Sequence, residues 1–160
     1  MLAAAPEDDY LSRQRRAAEK RELKPIDHSK IDYEPFKKNF YIASSELRAM
    51  SDEQIEAFRK TNNDIKVRGV EPPVPVANWY QCGLSNKVLK LIEKRNFEKP
   101  TPIQMQAIPT IMNGRDVIGI AETGSGKTLA YVLPLLRHVL DQRPLKDGEG
   151  PIALVIAPTR

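Results

Sequence analysis

The sequence is poor in the residues that form disulfides and metal centres. Its 160 residues include one cysteine, Cys82, and two histidines, His28 and His138. A single thiol excludes an internal disulfide and any four-cysteine zinc site. The histidines lack cysteine or acidic partners at metal-ligand spacing, so we expect no metal cluster. We interpret Cys82 as a packed residue rather than a nucleophile.

Long apolar runs are also missing. The longest, residues 129–136, contains Pro134 and is far shorter than the roughly 18 to 20 residues that span a membrane. Polar residues 6–9 follow the start too closely for the apolar block of a secretory signal. We therefore expect a soluble protein of a reducing compartment with no membrane partner. The 25 basic and 21 acidic residues give a net charge of +4, which is compatible with nucleic-acid binding but does not indicate it.

The composition changes near residue 76. Residues 1–75 are densely charged and sparse in apolar residues, so we interpret them as an N-terminal flank, partly disordered with short helices. Within this flank, residues 7–24 predict a solvated charged helix. Residues 65–67 alternate like a strand, and the prolines of residues 72–75 predict a stiff extended connector.

Two other parts of the flank carry recognisable patterns. Ser51 and Gln54 have the spacing of a capping box, which predicts a short helix from about residue 52 to 60. Residues 30–41 hold four aromatic residues among lysines, and Pro35 keeps this segment from being helical. These rings either pack on a neighbouring domain or form a docking or RNA-contact segment, in which rings stack on bases and lysines face phosphates.

Residues 76–160 have the pattern of an α/β unit. Ser85 predicts the start of a helix in which Val88, Leu91 and Ile92 share an apolar face. Thr101 followed by Pro102 predicts a second helix start, because proline is tolerated at the first helical position. Gly114 is expected to end this second helix. A third helix is expected over residues 127–142.

Two short apolar runs follow the second and the third of these helices. Residues 116–121 and 152–157 are apolar at nearly every position, which predicts buried strands. Strands that are apolar on both faces are typical of a parallel sheet covered by helices. The pattern therefore favours an α/β fold with helices on both sides of a sheet.

The strongest motif is Ala121-Glu-Thr-Gly-Ser-Gly-Lys-Thr128, between a predicted strand and a predicted helix. Gly124 and Gly126 remove side chains that would keep a triphosphate away from backbone N–H groups. Lys127 is expected to reach the β- and γ-phosphates and the Thr128 hydroxyl to ligate Mg²⁺. The motif departs from G-x-x-x-x-G-K-[ST] because Ala121 replaces the first Gly. It predicts a nucleotide phosphate site.

A second stretch, Phe97-Glu-Lys-Pro-Thr-Pro-Ile-Gln104, bears on the choice of base. Phe97 offers a ring face, and the Gln104 amide offers both a donor and an acceptor. Adenine presents a matching pair at N6 and N7, whereas guanine would mismatch at O6. Taken alone, the stretch also reads as an ordinary capped helix start. Its position 17 residues before Ala121 favours the role in base recognition.

These motifs resemble the N-terminal part of a DEAD-box ATP-dependent RNA helicase. The match consists of the adenine-recognition (Q) motif at residues 97–104, a phosphate loop that begins with Ala in this family, and Pro158-Thr159-Arg160. An upstream aromatic residue is also typical, and Trp79 stands in that region, either beside adenine or as an ordinary core residue. Asn96 departs from the family, which usually has Gly before the aromatic residue.

The resemblance implies a P-loop NTPase (RecA-like) three-layer α/β domain, an RNA-dependent ATPase, and ATP with Mg²⁺ as cofactors. Within the family, residues 30–41 and 79–83 look most like a spliceosomal member, which implies pre-mRNA splicing and the nucleus, with the cytoplasm as the other candidate compartment. It implies catalytic roles for Lys127 and Thr128 and RNA contacts at residues 158–160. The ligand-binding set that it implies is Phe97, Thr101, Gln104, Thr123, Gly124, Ser125, Gly126, Lys127 and Thr128.

The family's Asp-Glu-Ala-Asp element and second RecA-like domain are not in these 160 residues. We therefore expect an incomplete first domain over residues 76–160, and no useful ATP hydrolysis by this chain, because phosphoryl transfer depends on positioning and charge neutralisation. Two alternatives stay open. One is another P-loop ATPase or kinase, and the other is a non-catalytic docking fragment that binds spliceosomal proteins through residues 1–75.

Overall fold

The computed structural model describes residues 25–157. This part contains five α-helices and two 3-10 turns, and no strand is formed within it. The predicted charged helix over residues 7–24 and the three residues Pro158, Thr159 and Arg160 lie outside the described residues. The α-helices are α1 Ser45–Arg48, α2 Asp52–Thr61, α3 Asn86–Lys94, α4 Pro102–Met112 and α5 Lys127–Leu140, and the 3-10 turns are His28–Lys30 and Trp79–Cys82.

The chain divides into two compact units, residues 1–35 and residues 36–160. In the described part of the first unit, the Asp27 carboxylate accepts from the Ser29 backbone N–H at 3.2 Å and starts the 3-10 turn. Lys30 forms an exposed ion pair with Asp27 at 3.0 Å. Such a pair stabilises little, because water screens it.

The capping box at Ser51 is confirmed. The Ser51 backbone N–H donates to Gln54 Oε1 at 2.9 Å, and the Gln54 N–H donates back to Ser51 Oγ at 3.4 Å. These bonds satisfy two backbone donors that a helix start leaves without intrahelical partners. Helix α2 therefore begins at Asp52 as predicted and ends at Thr61.

The three predicted helix starts after residue 76 are also confirmed, and the third helix, α5, begins at Lys127 and ends at Leu140 rather than at residue 142. Ser85 is the N-cap of α3, and α4 begins at Pro102 and is followed by the left-handed Gly114 at φ +69°. The predicted common apolar face of Val88, Leu91 and Ile92 is only partly correct: Ile92 is buried, whereas Leu91 is 62% exposed.

The predicted strands at residues 65–67, 116–121 and 152–157 are wrong for the described part of the chain. Ile118 is 93% exposed and Ile156 is 83% exposed. Parallel strands are held by hydrogen bonds to neighbouring strands and by helices on both faces. Residues 25–157 supply no such hydrogen bonds to these segments.

The core of the second unit joins residues from both sides of position 76. Tyr41 and Leu47, which lie in the stretch assigned to the flank, pack with Val76 and with residues of the later helices. Helix α4 is the most buried element and packs on α5. From residue 36 onward, the flank therefore supplies part of the core. The core residues are Tyr41, Leu47, Val76, Trp79, Cys82, Ile92, Ile108, Met112 and Leu133.

None of the helices in residues 25–157 is long and apolar enough to cross a membrane.

Candidate nucleotide site

The loop before α5 has the backbone geometry of an anion site. Gly124 and Gly126 have φ values of +81° and +92°, which side-chain-bearing residues rarely adopt. The Ala130 N–H donates to the Gly126 carbonyl at 3.2 Å and closes the start of the helix. The N–H groups of residues 127–129 precede that bond and have no intrahelical acceptor. They lie at the positive end of the helix dipole, where an anion is stabilised.

The Lys127 ammonium lies across this loop. Its Nζ donates to the backbone carbonyls of Ala121 and Glu122, both at 2.5 Å. The Ser125 N–H donates to the Glu122 carbonyl at 3.3 Å and tightens the turn. The cation is therefore held at the loop itself, where a phosphate would compete with two neutral carbonyls for it. Charge-assisted bonds to phosphate oxygens are the stronger kind.

Two hydroxyl groups beside the loop are buried. Ser125 Oγ has no hydrogen-bond partner in the described residues, whereas Thr101 Oγ1 faces the Gln104 backbone N–H in the capping box of α4. Thr101 Oγ1 lies 3.0 Å from the position that a Cβ on Gly126 would take. A buried hydroxyl without a partner is uncommon in folded proteins and calls for an explanation. Ser125 Oγ, the N–H groups of residues 127–129 and the Lys127 ammonium are hydrogen-bond donors within one short loop, which is the kind of donor that a polyphosphate group accepts.

The Gln104 side chain joins the second motif to this loop. It is 2% exposed, its Oε1 accepts from the Thr101 N–H at 2.9 Å, and its Nε2 donates to the Gly126 carbonyl at 2.9 Å. A Cβ on Gly126 would lie 2.4 Å from Gln104 Nε2. Two stretches that are separated by 22 residues therefore meet at one point, and glycine at 126 is required both by backbone conformation and by this contact.

Phe97 and Trp79 meet at the other end of the Q-motif stretch. The Trp79 indole N–H donates to the Phe97 carbonyl at 2.8 Å, and the Phe97 N–H donates to the Ile92 carbonyl at 3.2 Å. Trp79 is buried in the core, while the Phe97 ring is 45% exposed. Asn96 has φ +56°, a conformation that asparagine tolerates better than most residues, so it serves where glycine would be the usual choice.

Thr123 and Thr128 take no part in the side-chain contacts described above. Thr123 and Thr128 are exposed at the loop and at the first turn of α5. Residues 158–160, to which the resemblance assigned RNA contacts, lie outside the described part. Within residues 25–157 no group of three or more His, Cys, Asp and Glu side chains comes together as a metal site would require.

One buried network was missed by sequence reasoning. Arg59 in α2 donates from Nε to Gln106 Oε1 at 3.2 Å, and Gln106 Nε2 donates to the Pro73 carbonyl at 2.8 Å. Arg59 also pairs with Glu56 at 2.7 Å. Both Arg59 and Gln106 are 8% exposed, so this network fixes α2 to the helix that carries Gln104. No local pattern marks it, because its partners are 47 residues apart.

A glycine-rich loop at the start of α5, packed against the buried α4, defines part of a P-loop nucleotide-binding domain. The family model for DEAD/DEAH box helicases matches residues 101–160. The chain therefore carries part of a DEAD/DEAH box helicase domain, and its fold class is the α/β, RecA-like class of such domains.

Curated relatives agree with this assignment. The probable ATP-dependent RNA helicase DDX46 of Homo sapiens is 56% identical over 138 residues, which are 86% of this chain and 13% of the relative. The pre-mRNA-processing ATP-dependent RNA helicase prp5 of Aspergillus fumigatus is 52% identical over 153 residues, 96% of this chain and 13% of that protein. This chain thus spans 13% of the length of these relatives.

Solved structures of the RNA helicase Prp28 share the fold. The protein from Chaetomium thermophilum, bound to ADP, matches with a TM-score of 0.64 and 37% identity over 75% of this chain and 29% of that chain. The yeast DEAD-box splicing factor Prp28 matches with a TM-score of 0.65 and 34% identity over 71% of this chain and 27% of that chain.

Proposed function

We propose that this chain supplies the ATP-binding part of an ATP-dependent RNA helicase, an RNA-dependent ATPase that acts in pre-mRNA splicing in the nucleus. The helicase family match and the names of the relatives support the class. The observation that carries the nucleotide assignment is the hydrogen bond of 2.9 Å between Gln104 Nε2 and the Gly126 carbonyl. It is the contact expected if one nucleotide touches both the loop and the amide.

In this proposal the phosphates bind to the N–H groups and the Lys127 ammonium at the start of α5. Gly124 and Gly126 allow the backbone to approach, and the hydroxyl groups of Thr123 and Ser125 are the nearby side-chain donors. Thr128 is the Mg²⁺ ligand, and the bound ion would neutralise phosphate charge. Lys127 and Thr128 are the residues of this chain that we assign to catalysis.

Adenine selection falls to Phe97 and Gln104. A primary amide carries two N–H donors and two acceptor lone pairs, and the contacts to Thr101 and Gly126 use one of each. One donor and one acceptor remain, which is the number that the N7 and N6 edge of adenine requires. The half-exposed Phe97 ring offers a face for stacking.

RNA binding is assigned to Pro158, Thr159 and Arg160, which would begin a path along the sugar-phosphate backbone. Backbone contacts of this kind are largely independent of base sequence. The flank, residues 1–75, is the candidate contact for spliceosomal proteins. The domain assignment that we propose is a charged flank over residues 1–75 and an incomplete nucleotide-binding domain over residues 76–160.

The test is nucleotide binding by the 160-residue chain, measured by the fluorescence change of a labelled ATP. We expect Lys127→Ala to weaken ATP binding by about 10- to 150-fold, the free energy of a charge-assisted hydrogen bond. Gln104→Ala should weaken ATP binding by about 2- to 12-fold and leave GTP binding unchanged. Lys90→Ala, which removes an exposed lysine of α3, is the matched control.

Strong GTP binding, or ATP binding that is indifferent to Gln104→Ala, would favour another P-loop ATPase or kinase. A second assay follows phosphate release in the presence of RNA. Because no carboxylate cluster is formed in residues 25–157, we expect release by this chain to equal that of the Lys127→Ala variant. Turnover clearly above that variant would contradict the expectation that this chain does not hydrolyse ATP at a useful rate.

The non-catalytic alternative, docking through residues 1–75 alone, is less well supported. Tyr41 and Leu47 of that stretch are buried in the core with Val76 and Met112. An isolated peptide of residues 1–75 would expose these side chains. Retention of a spliceosomal protein by that peptide would favour the docking function, and loss of retention would count against it.

A further inference from the structure

One extended segment of the flank contacts both helices that begin at the candidate site. We call residues 36–41 the strap. Helix α4 begins beside Thr101 and Gln104, and α5 begins at the phosphate loop. The strap lies at the opposite end of α4, about 16 Å from the Q motif for a helix of this length.

Phe40 is the strap residue that contacts both helices. Its backbone N–H donates to the Met112 carbonyl at 2.7 Å, at the last turn of α4. Its ring meets the His138 ring of α5 edge to face, with centroids 4.7 Å apart, and the Arg137 guanidinium lies 5.1 Å from the ring centroid. Lys37 of the strap itself contributes a second cation at 5.1 Å. The ring is therefore held between a neighbouring histidine and two cations.

The end of α4 is shaped to receive the strap. Gly114 has φ +69°, and a Cβ there would lie 2.7 Å from the Lys38 carbonyl oxygen. Only glycine lets the strap backbone pass this close to the turn. Tyr41, 8% exposed, then anchors the end of the strap in the core.

The His138 ring ties the same two helices together. Its Nε2 lies 3.3 Å from the Ile111 carbonyl of α4. With the Phe40 contacts, this forms one cluster at the C-terminal end of α4. At the N-terminal end, the Gln104 contact to Gly126 forms the other connection between the helices. Two packed helices joined at both ends have little freedom to change their crossing angle.

We propose that Phe40 is a positioning residue for the nucleotide site. Its ring sets the placement of α4 against α5 and so the placement of the Gln104 amide against the phosphate loop. This inference rests on the proposed function, since it assumes that one nucleotide uses both groups. It predicts that loss of the ring weakens the binding of a ligand that contacts both the Gln104 amide and the phosphate loop. The affinity of a ligand that contacts the loop alone should not change.

The experiment compares Phe40→Ala with wild type in the 160-residue chain, at temperatures where circular dichroism shows both to be folded. The probes are ATP, GTP and inorganic tripolyphosphate. We expect Phe40→Ala to weaken ATP binding about three- to tenfold, the free energy of an aromatic pair, and to lower the ATP-to-GTP affinity ratio. Tripolyphosphate affinity should change by less than about twofold, since that ligand needs no amide.

Phe36→Ala is the matched control, because Phe36 is a strap phenylalanine that is 57% exposed. Its nucleotide affinities should equal those of wild type. Phe40→Tyr keeps a ring and should restore binding. If Phe40→Ala does not fold, Phe40→Leu keeps the apolar bulk without the ring and should show the same loss for ATP alone.

Equal weakening of ATP and tripolyphosphate would overturn the inference, because a general loss of structure affects both. Unchanged ATP binding in Phe40→Ala would overturn it as well. Failure of the proposed function is distinguishable from either outcome, since wild type would then show no preference for ATP over GTP.

Discussion

Replacing Gly126 by alanine tests the contact between the phosphate loop and the Q motif. The new methyl group would stand 2.4 Å from Gln104 Nε2, well inside van der Waals contact. It would also place a side-chain-bearing residue at φ +92°. The Gln104 side chain is 2% exposed and bonded to the Thr101 N–H and the Gly126 carbonyl, so the amide can move away only by breaking hydrogen bonds.

The expected loss has two separable parts. Holding a non-glycine residue in the left-handed region costs about 1–2 kcal/mol. Displacing the amide breaks the Gln104 bond to the Gly126 carbonyl, which contributes about 0.5–1.5 kcal/mol. We therefore expect Gly126→Ala to lower the free energy of unfolding by about 2–4 kcal/mol in total, because the overlap also strains the packing.

Gly124→Ala is the matched control for the conformational part. Gly124 has a similar φ of +81°, but no atom lies within 4 Å of the position of its Cβ. This variant should lose only about 1–2 kcal/mol. Both substitutions remove the same backbone freedom from the unfolded chain, so that effect cancels in the difference between them.

Urea unfolding followed by circular dichroism measures both variants, and labelled-ATP binding is measured in parallel. Equal free-energy losses in Gly126→Ala and Gly124→Ala would refute the reasoning, because the contact with Gln104 would then contribute nothing. A Gly126→Ala variant with wild-type stability would refute the backbone argument as well.

Two further predictions concern the packing around the site. Arg59→Ala leaves Gln106 Oε1 buried without its donor, so it should lower the free energy of unfolding, measured by urea titration, by about 1–3 kcal/mol. Lys60→Ala, at the adjacent exposed residue, is the control and should change this free energy by less than about 0.5 kcal/mol. Equal effects of the two substitutions would show that the buried network does not stabilise the fold. Burial raises the pKa of the Cys82 thiol to about 12, while an unfolded chain ionises its thiol near about pH 8.5. The stability that the neutral thiol contributes is therefore complete below about pH 8.5 and is lost as the pH rises towards 12. Between about pH 8 and about pH 10, the free energy of unfolding of wild type should fall by at most about 1.4 kcal/mol per pH unit. The fall should be smaller in Cys82→Ala, which has no thiol to ionise. Identical pH dependence in the two proteins would contradict this prediction.

The predictions that held were those that depend on neighbouring residues. The capping box at Ser51 sets the start of α2 through bonds three residues apart. Pro102 and Gly114 mark the limits of α4 because their backbone preferences are intrinsic. The loop glycines adopt the positive φ values that the motif requires.

The predictions that failed depended on distant partners. Residues 116–121 and 152–157 have a strand pattern, yet Ile118 and Ile156 are exposed. A strand is stabilised by hydrogen bonds to a neighbouring strand. An apolar pattern therefore indicates a preference for strand structure, but the strand forms only where a second strand supplies these bonds. The exposure of Leu91 has the same origin, since helical periodicity does not say which side the core occupies.

The sequence alone determined where α2, α3, α4 and α5 begin, and it carried the motifs of a DEAD/DEAH box helicase domain, because these features rest on local chemistry over a few residues. Only the tertiary structure decided that the Gln104 amide bonds to Gly126, that Arg59 bonds to Gln106, and that Phe40 lies between the ends of two helices. These contacts join residues that are 22 to 98 positions apart in the chain. Their geometry follows from how the helices pack, and no periodicity within one segment contains that information.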